Sequence, residues 1–358
     1  MTKDEIQEQA LEAISTKRRC SIAMSVGTGK TLVGLKHMAS IFTESSFFLV
    51  VAPKVSIFQS WKDDAKKFGM EYLIPHITFS TYLSLTKQDL DYEAVYLDEA
   101  HSLLNSHAWW LSAYQGNLIG LTGTPPKVDY SEKGKLFKKF IPVVYKYVTD
   151  DAVEDNILND YEIIVHKLDL SKLQNLKAGK APKFFYTSEN ANYWYWTKRC
   201  SEAKNGKEAQ MMRIMRMKAM MAFPSKEEYA KNLLSTMTDK TIVFANTQEQ
   251  ADKLCKYSYH SNNPLSEDAL KAFKNGKINQ LSCVLQLSEG INIPNLKSGI
   301  ILHAYGNERK ASQRIGRLLR LNPDDKATIH VLCYANTIDE TWVQSALEDY
   351  DQTKISYI

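Results

Sequence analysis

Ser21–Thr31 reads SIAMSVGTGKT: a short apolar run, a turn carrying Gly27 and Gly29, and then Lys30 and Thr31 at the head of a helical pattern. A strand that ends in a glycine-rich turn and feeds a helix is the context a phosphate-binding loop requires. Glycines let successive backbone N–H groups converge on phosphate oxygens, and the helix N-terminus adds a favourable dipole. Lys30 is then placed to reach the β- and γ-phosphates of a nucleotide, and Thr31 to hold Mg²⁺. The strict pattern has a further glycine where Met24 stands, so this loop is a variant.

Upstream, EIQEQALEAIS has helical periodicity. Downstream, FFLVVAP, HITFS, EAVYLDEA and NLIGLTGTP each look like a strand ending in a polar turn, and IFQSWKDDAKKF like an amphipathic helix. Repeated βα units with such apolar strands imply a doubly wound parallel sheet. Ligands of such sheets bind at the carboxyl ends of the strands. The strand AVYLD ends in Asp98, whose carboxylate suits a Mg²⁺ shell, and Glu99 beside it suits the orientation and deprotonation of an attacking water. LTGTPPK at Leu121–Lys127 offers hydroxyls that can couple such a site to the rest of the lobe, although turn chemistry alone accounts for its Gly and Pro.

TIVFANT, LSCVLQ, SGIILHA and ATIHVLCY form a second α/β series that starts near Tyr161. The acidic cluster DDAVEDNILND divides the two, which sets a first lobe at 1–152 and a second at 153–358. Within the second, the Lys-, Met- and aromatic-rich residues 171–237 read as a helical insert. ASQRIGRLLR spaces Gln313, Arg317 and Arg320 four and three apart, on one helix face. Arginine facing a γ-phosphate acts as a finger, with fixed charge and bidentate donors that lysine lacks. LSEGINIP sets Gly290 and Asn292 ahead of that helix, and IVFANT sets Asn246 and Thr247 at a strand end, positioned for a phosphodiester backbone.

The bulk numbers agree with two domains rather than one, since 358 residues exceed a single typical core. A net charge of +4 means that any positive surface for an anionic partner must be local. Five cysteines, none in a CxxC pair, read as reduced thiols and against a zinc cluster. The N-terminal MTKDEIQEQALEAI has no apolar signal core, and no apolar run is long enough to span a bilayer. A cytoplasmic location, no membrane partner and a monomeric state are the expectations. No internal repeat is visible.

In order along the chain stand IQEQALEAI, SVGTGKT, APKVSIFQSW, ITFSTY, DEAH, LTGTP, IVFANT, LSEGINIP and QRIGRLLR. From about Ile6 to Arg320 the chain resembles the superfamily 2 helicases and translocases. The resemblance implies two RecA-like lobes, each a mostly parallel sheet flanked by helices, with ATP hydrolysed between them. It implies ATP and Mg²⁺ as nucleotide and metal. Gln7 matches the adenine-reading glutamine; Gly27, Thr28, Gly29, Lys30 and Thr31 match the phosphate loop; Asp98 and Glu99 match the metal and water residues. Gln313 matches the glutamine facing the nucleotide cleft, and Arg317 and Arg320 match the finger arginines. Gly290 and Asn292 fall in the nucleotide-contacting motif. Pro53, Lys54, Ser80, Thr81 and Tyr82 fall in motifs that track the nucleic-acid backbone in relatives.

APKVSIFQSWKDDAKKF and RIMRMKAMMAFPSKEEYAKNLL resemble the Swi/Snf-type duplex translocases, whereas QRIGRLLR is closer to the phage UvsW-type and RecG-like DNA helicases. The compact length is similar to phage versions. Two positions depart from the pattern: Asn292 stands where many relatives have a ribose-contacting Asp, and Val284 where many have a backbone-binding Thr. In the insert, YWYW at Tyr193–Trp196 reads as core packing in preference to base stacking. Arg213, Arg216 and Lys218 read as a basic side of the Met-rich helix that faces nucleic acid. The function implied is an ATP-dependent DNA helicase or translocase on duplex or branched DNA. An RNA helicase, or a nucleotide-dependent loader that does not unwind, stays open.

Overall fold

The computed structural model describes residues 1–180, 182–284, 293–304, 315 and 325–358. They fall into two compact units, one holding Met1–Asp160 and one built from Tyr161 onward. In the first, β1 (Arg19–Met24), β2 (Phe48–Ala52), β3 (Ile77–Thr81), β4 (Ala94–Asp98), β5 (Asn117–Thr122) and β6 (Val143–Tyr147) form one sheet. Its order is β3-β2-β4-β5-β1-β6, and each neighbouring pair runs parallel. FLVVA and AVYLD are buried along their whole length. That burial is what a parallel sheet covered by helices on both faces demands. One cluster of the core joins Leu49, Val95, Leu97 and Leu118 on the strands to Trp110 and Phe137. β6, read from the sequence as part of no strand, pairs with β1 and closes that edge.

Local signals set the helices that carry candidate residues. Thr2 and Glu5 form a capping box: Thr2 Oγ1 accepts from the Glu5 amide at 3.3 Å, and Glu5 Oε2 accepts from the Thr2 amide at 2.8 Å. The helix Lys3–Ser15 buries Ile6, Ala10 and Ile14 at a spacing of four, with Gln7 on the same stripe. The helix Ser56–Lys67 does likewise with Ile57, Trp61 and Ala65. Gly34 sits in the helix Lys30–Ser40 where a Cβ would meet Trp61 Cη2 at 2.8 Å and Leu121 Cδ1 at 3.1 Å. Glycine there allows the indole to lie against the helix backbone.

The second unit contains β7 (Asp160–Leu168), β8 (Leu176–Lys180), β9 (Lys183–Thr187), β10 (Thr241–Phe244), β11 (Ser258–Tyr259), β12 (Gln280–Cys283), β13 (Ser298–Ile301), β14 (Lys326–Tyr334) and β15 (Ile355–Tyr357). Seven of these form a sheet ordered β11-β12-β10-β13-β14-β7-β15. The segment 171–237, read as helical throughout, is not. Its first part pairs as the antiparallel hairpin β8–β9. Pro182 removes a backbone donor, Gly179 sits at φ 97°, and FFY has strand propensity, all of which oppose a helix. Helices follow at Glu189–Ser201, Gly206–Met221 and Pro224–Thr236. Among the described residues no helix is long and apolar enough to cross a membrane.

The second unit is tied by a buried charge. Lys226 and Asp339 are each 1% exposed, with Nζ 2.5 Å from Oδ2. Nζ also donates to the Leu332 carbonyl at 3.2 Å, lies 3.2 Å from His303 Nδ1 and stands over the Tyr334 ring. Asp339 Oδ2 accepts the Tyr334 amide as well. Glu189, fully buried, accepts from Ser225 Oγ at 2.7 Å, the Ser225 amide at 2.9 Å and the Ser171 amide at 3.0 Å. Removing one member of a buried ion pair strands the other without solvent. Asp339→Ala is therefore expected to lower the stability of the chain by about 3–5 kcal/mol in urea unfolding. The apolar double replacement Lys226→Met with Asp339→Leu should recover most of that loss. A double variant as unstable as the single one would contradict this account.

Candidate nucleotide-binding site

Because every pair in the first sheet is parallel, the turns after β1, β2, β3, β4 and β5 emerge at one edge. Those turns carry the phosphate loop, Pro53 and Lys54, Tyr82, Glu99, and Gly123 with Thr124. Gly27 and Gly29 both have φ 95°, a left-handed conformation that only glycine adopts freely. Gly29 also lies against the side chain of Gln7, whose Nε2 a Cβ would meet at 2.3 Å. Gln7 Nε2 donates to the Thr28 carbonyl at 3.0 Å, and Thr28 Oγ1 donates to the Ser25 carbonyl at 2.7 Å. Lys30 Nζ donates to the Met24 and Ser25 carbonyls at 3.0 and 3.2 Å, so its ammonium lies inside the loop. Thr31 is half-buried in the first turn of the helix.

Two observations fit this loop to a nucleotide. The helix Lys30–Ser40 begins with no side-chain cap, which leaves its first N–H groups for an anion. Gln7 Oε1 is buried and, among the described residues, has no hydrogen-bond partner. An acceptor stranded there is suited to an exocyclic amine such as that of adenine.

Asp98 closes β4 at 7% exposure. Trp61 Nε1 donates to its Oδ2 at 2.8 Å, and the Glu99 amide donates to its Oδ1 at 2.9 Å. Burial pushes Asp98 up to about 6, and the Glu99 carboxylate adds to the rise; the Trp61 bond and the Lys30 charge oppose it. Each Asp98 oxygen keeps a lone pair, and two adjacent carboxylates favour a cation, so the donor set fits Mg²⁺. Glu99 has φ 50°, an uncommon conformation for a residue with a side chain. Its Oε2 is 3.4 Å from His101 Nδ1. The same nitrogen lies 3.0 Å from Thr122 Oγ1 and 3.4 Å from Thr124 Oγ1. Thr122 Oγ1 accepts the Thr124 amide at 3.2 Å. A continuous polar path therefore joins the DEAH turn to the TGT turn.

The residues read as nucleic-acid contacts divide. Lys54 is exposed, and Pro53 and Thr81 are half-buried. Ser80 is 5% exposed and Tyr82 6%, and the Tyr82 hydroxyl donates to the Asp98 carbonyl at 2.9 Å. Tyr82 is thus a brace beneath Asp98 instead of a surface residue. In the second unit, Thr247 Oγ1 caps the helix Gln248–Leu254 by accepting the Gln250 amide, while both polar side-chain atoms of Asn246 are buried without partners among the described residues. Gly290, Asn292, Gln313, Arg317 and Arg320 lie outside the described residues. Of the aromatic run, Tyr193 is core at 3% exposure, but Trp194 and Tyr195 are exposed. Arg216 lies against the neighbouring helix, its Nη1 3.4 Å from Thr197 Oγ1, and Arg213 and Lys218 are exposed. Sequence reading missed Trp61 as a ligand of Asp98; its core spacing with Ile57 and Ala65 masked a polar task. His101 closes the DEAH run, but its reach to Thr122 and Thr124 has no sequence signal.

Two family models match. Residues 1–127 match the type III restriction enzyme res subunit, and residues 225–322 match the helicase conserved C-terminal domain. Among curated proteins, the DNA 3'-5' translocase XPB2 of Sulfurisphaera tokodaii is 24% identical, over 91% of this chain and 80% of that protein. Among solved structures, the ATP-dependent type ISP restriction-modification enzyme LlaBIII bound to DNA superposes on 99% of this chain with a TM-score of 0.64 at 15% identity. This chain spans 31% of its length. An HsdR subunit fragment of a type I restriction enzyme from Vibrio vulnificus YJ016 superposes on 99% of this chain and 68% of that one, with a TM-score of 0.63 at 18% identity. The two mostly parallel sheets are RecA-like lobes. With a phosphate loop, an acidic strand end and a helicase C-terminal domain in one chain, this protein belongs to the superfamily 2 helicases and translocases, which hydrolyse ATP.

Proposed function

We propose that the chain is a DNA-stimulated ATPase that tracks along duplex or branched DNA. The observation that carries the reading is the buried Asp98, held by Trp61 and the Glu99 amide beside an uncapped, glycine-opened helix. The choice of DNA is supported by the likeness to a protein named as a DNA translocase. Gln7 reads the base, and Gly27, Thr28, Gly29 and Lys30 hold the phosphates. Asp98 and Thr31 would hold Mg²⁺, which would supply positive charge to offset that of the phosphates. Glu99 orients the attacking water and accepts its proton. Gln313, Arg317, Arg320, Gly290 and Asn292 fall in motifs to which the resemblance assigns nucleotide contact. Pro53, Lys54, Thr81, Asn246 and Thr247 follow the DNA backbone. The path Glu99–His101–Thr122–Thr124 passes the state of the water-activating carboxylate to the turn after β5.

Steady-state ATPase with single-stranded DNA, duplex DNA, a four-way junction and RNA, at one salt concentration, tests this directly. Stimulation by duplex or junction DNA is expected; stimulation by RNA alone would overturn the DNA assignment. Glu99→Gln should lower turnover by about 100-fold or more while leaving ATP affinity within about three-fold, because it removes a proton acceptor and no phosphate contact. Equal loss of turnover and affinity would contradict that role.

The Asp98 shift makes a separate prediction. Its native pKa is raised above the unfolded value, so its protonated form stabilises the fold at low pH. That contribution is lost as pH rises from about 4 to about 6. Mg²⁺ binds the ionised form, and should raise the melting temperature of the nucleotide-free chain more at roughly pH 7.5 than at roughly pH 5. In Asp98→Ala the difference should vanish. A Mg²⁺ effect unchanged in that variant would remove Asp98 from the metal shell.

A further inference from the structure

The hairpin β8–β9 lies in the part of the chain between the two matched ranges, 1–127 and 225–322. It forms a sheet of its own. Leu176 anchors its base against the cluster of Tyr193, Met220, Phe223 and Tyr334. Beyond that anchor β9 is open to solvent: Phe184 is 51% exposed, Phe185 60% and Tyr186 67%. The register pairs Lys177 with Tyr186, Ala178 with Phe185 and Gly179 with Phe184. Successive residues of a strand point to opposite faces. Phe184 and Tyr186 therefore share one face with Lys177, and Phe185 occupies the other. Lys177 Nζ stands 4.1 Å from the Phe184 ring centroid.

An isolated two-stranded hairpin is only marginally stable in water, and three neighbouring exposed rings give it nothing to bury. The charge around those rings identifies what covers them. Residues 171–188 contain Lys172, Lys177, Lys180 and Lys183 and no acidic residue. Lysine is depleted where proteins bind proteins. Lysines interleaved with aromatic rings fit a polyanion whose subunits have π-faces. In a duplex those faces are stacked against each other, so side-chain rings reach them only where bases are unpaired.

We infer that the β8–β9 hairpin is a binding element for unpaired nucleotides, in which Phe184, Phe185 and Tyr186 stack on bases and Lys177 and Lys183 meet the phosphates. The inference rests on the nucleic-acid reading above and adds to it a site for opened or single-stranded DNA, set apart from the motor motifs. Rings on both faces let the hairpin enter between separated strands and present a stacking surface to each.

The test uses the full chain, an oligothymidylate and a blunt duplex, with affinity read by fluorescence anisotropy. Replacing Phe184, Phe185 and Tyr186 together by Ala should weaken oligothymidylate binding by at least about ten-fold, since each stacked base contributes several-fold or more. Duplex affinity and ATPase without nucleic acid should change little. In an otherwise unaltered chain, a benzoylphenylalanine at position 186 should photo-crosslink to the oligothymidylate; this second arm does not depend on how the triple variant folds. Unchanged oligothymidylate affinity in a folded triple variant would overturn the hairpin assignment. So would a crosslink that forms only to protein, or none. If the unaltered chain binds neither oligonucleotide and its ATPase responds to none, the DNA reading itself falls, a result distinct from failure of the hairpin alone.

Discussion

A carboxylate taken out of water needs donors, or it takes up a proton. Asp98 sits at that balance, and much of the first unit is arranged around it. Trp61 reaches Oδ2 from the helix Ser56–Lys67, which can lie close because position 34 is glycine. Glu99 turns its amide to Oδ1, and that turn requires a left-handed backbone. Tyr82 fixes the Asp98 carbonyl from the next loop. Loss of the Trp61 or the Glu99 donor would favour the neutral acid, whereas Tyr82 acts on the backbone alone.

The motor frame was legible because its signals are local. Buried parallel strands such as FLVVA and AVYLD are apolar from end to end, and SVGTGKT announces its own turn. What escaped reading depends on distant pairing. Tyr82 and Trp61 lie in recognisable segments, yet their polar atoms are directed at Asp98 by folds of the chain that no local pattern encodes. The stretch from Ser171 was misread for a different reason. Its lysines and leucines resemble helix formers, and the Pro182 and FFY signals that oppose a helix were outweighed. The YWYW run was half legible: Tyr193 enters the core, and the next two rings point outward.

The second unit is built on other physics. Lys226 and Asp339 are buried with several further polar groups, an arrangement more costly than an apolar core unless each member is satisfied. Its members come from the helix Pro224–Thr236, from β14 and from the helix Ile338–Leu347. Glu189 extends a parallel set of bonds to the head of the insert. The insert is therefore fixed at its root and free beyond it, so that an exposed hairpin can be held at a defined place without being packed.

The contact between Gly29 and Gln7 has a consequence for how this chain can change. A side chain at position 29 would occupy space that Gln7 already fills, and a shorter residue at position 7 would leave the Thr28 carbonyl without its donor. The glycine-rich loop and the helix that carries Gln7 are thus one packed unit. A change at position 7 is therefore felt in the backbone of the loop, and a change at position 29 meets both the left-handed backbone and the Gln7 side chain.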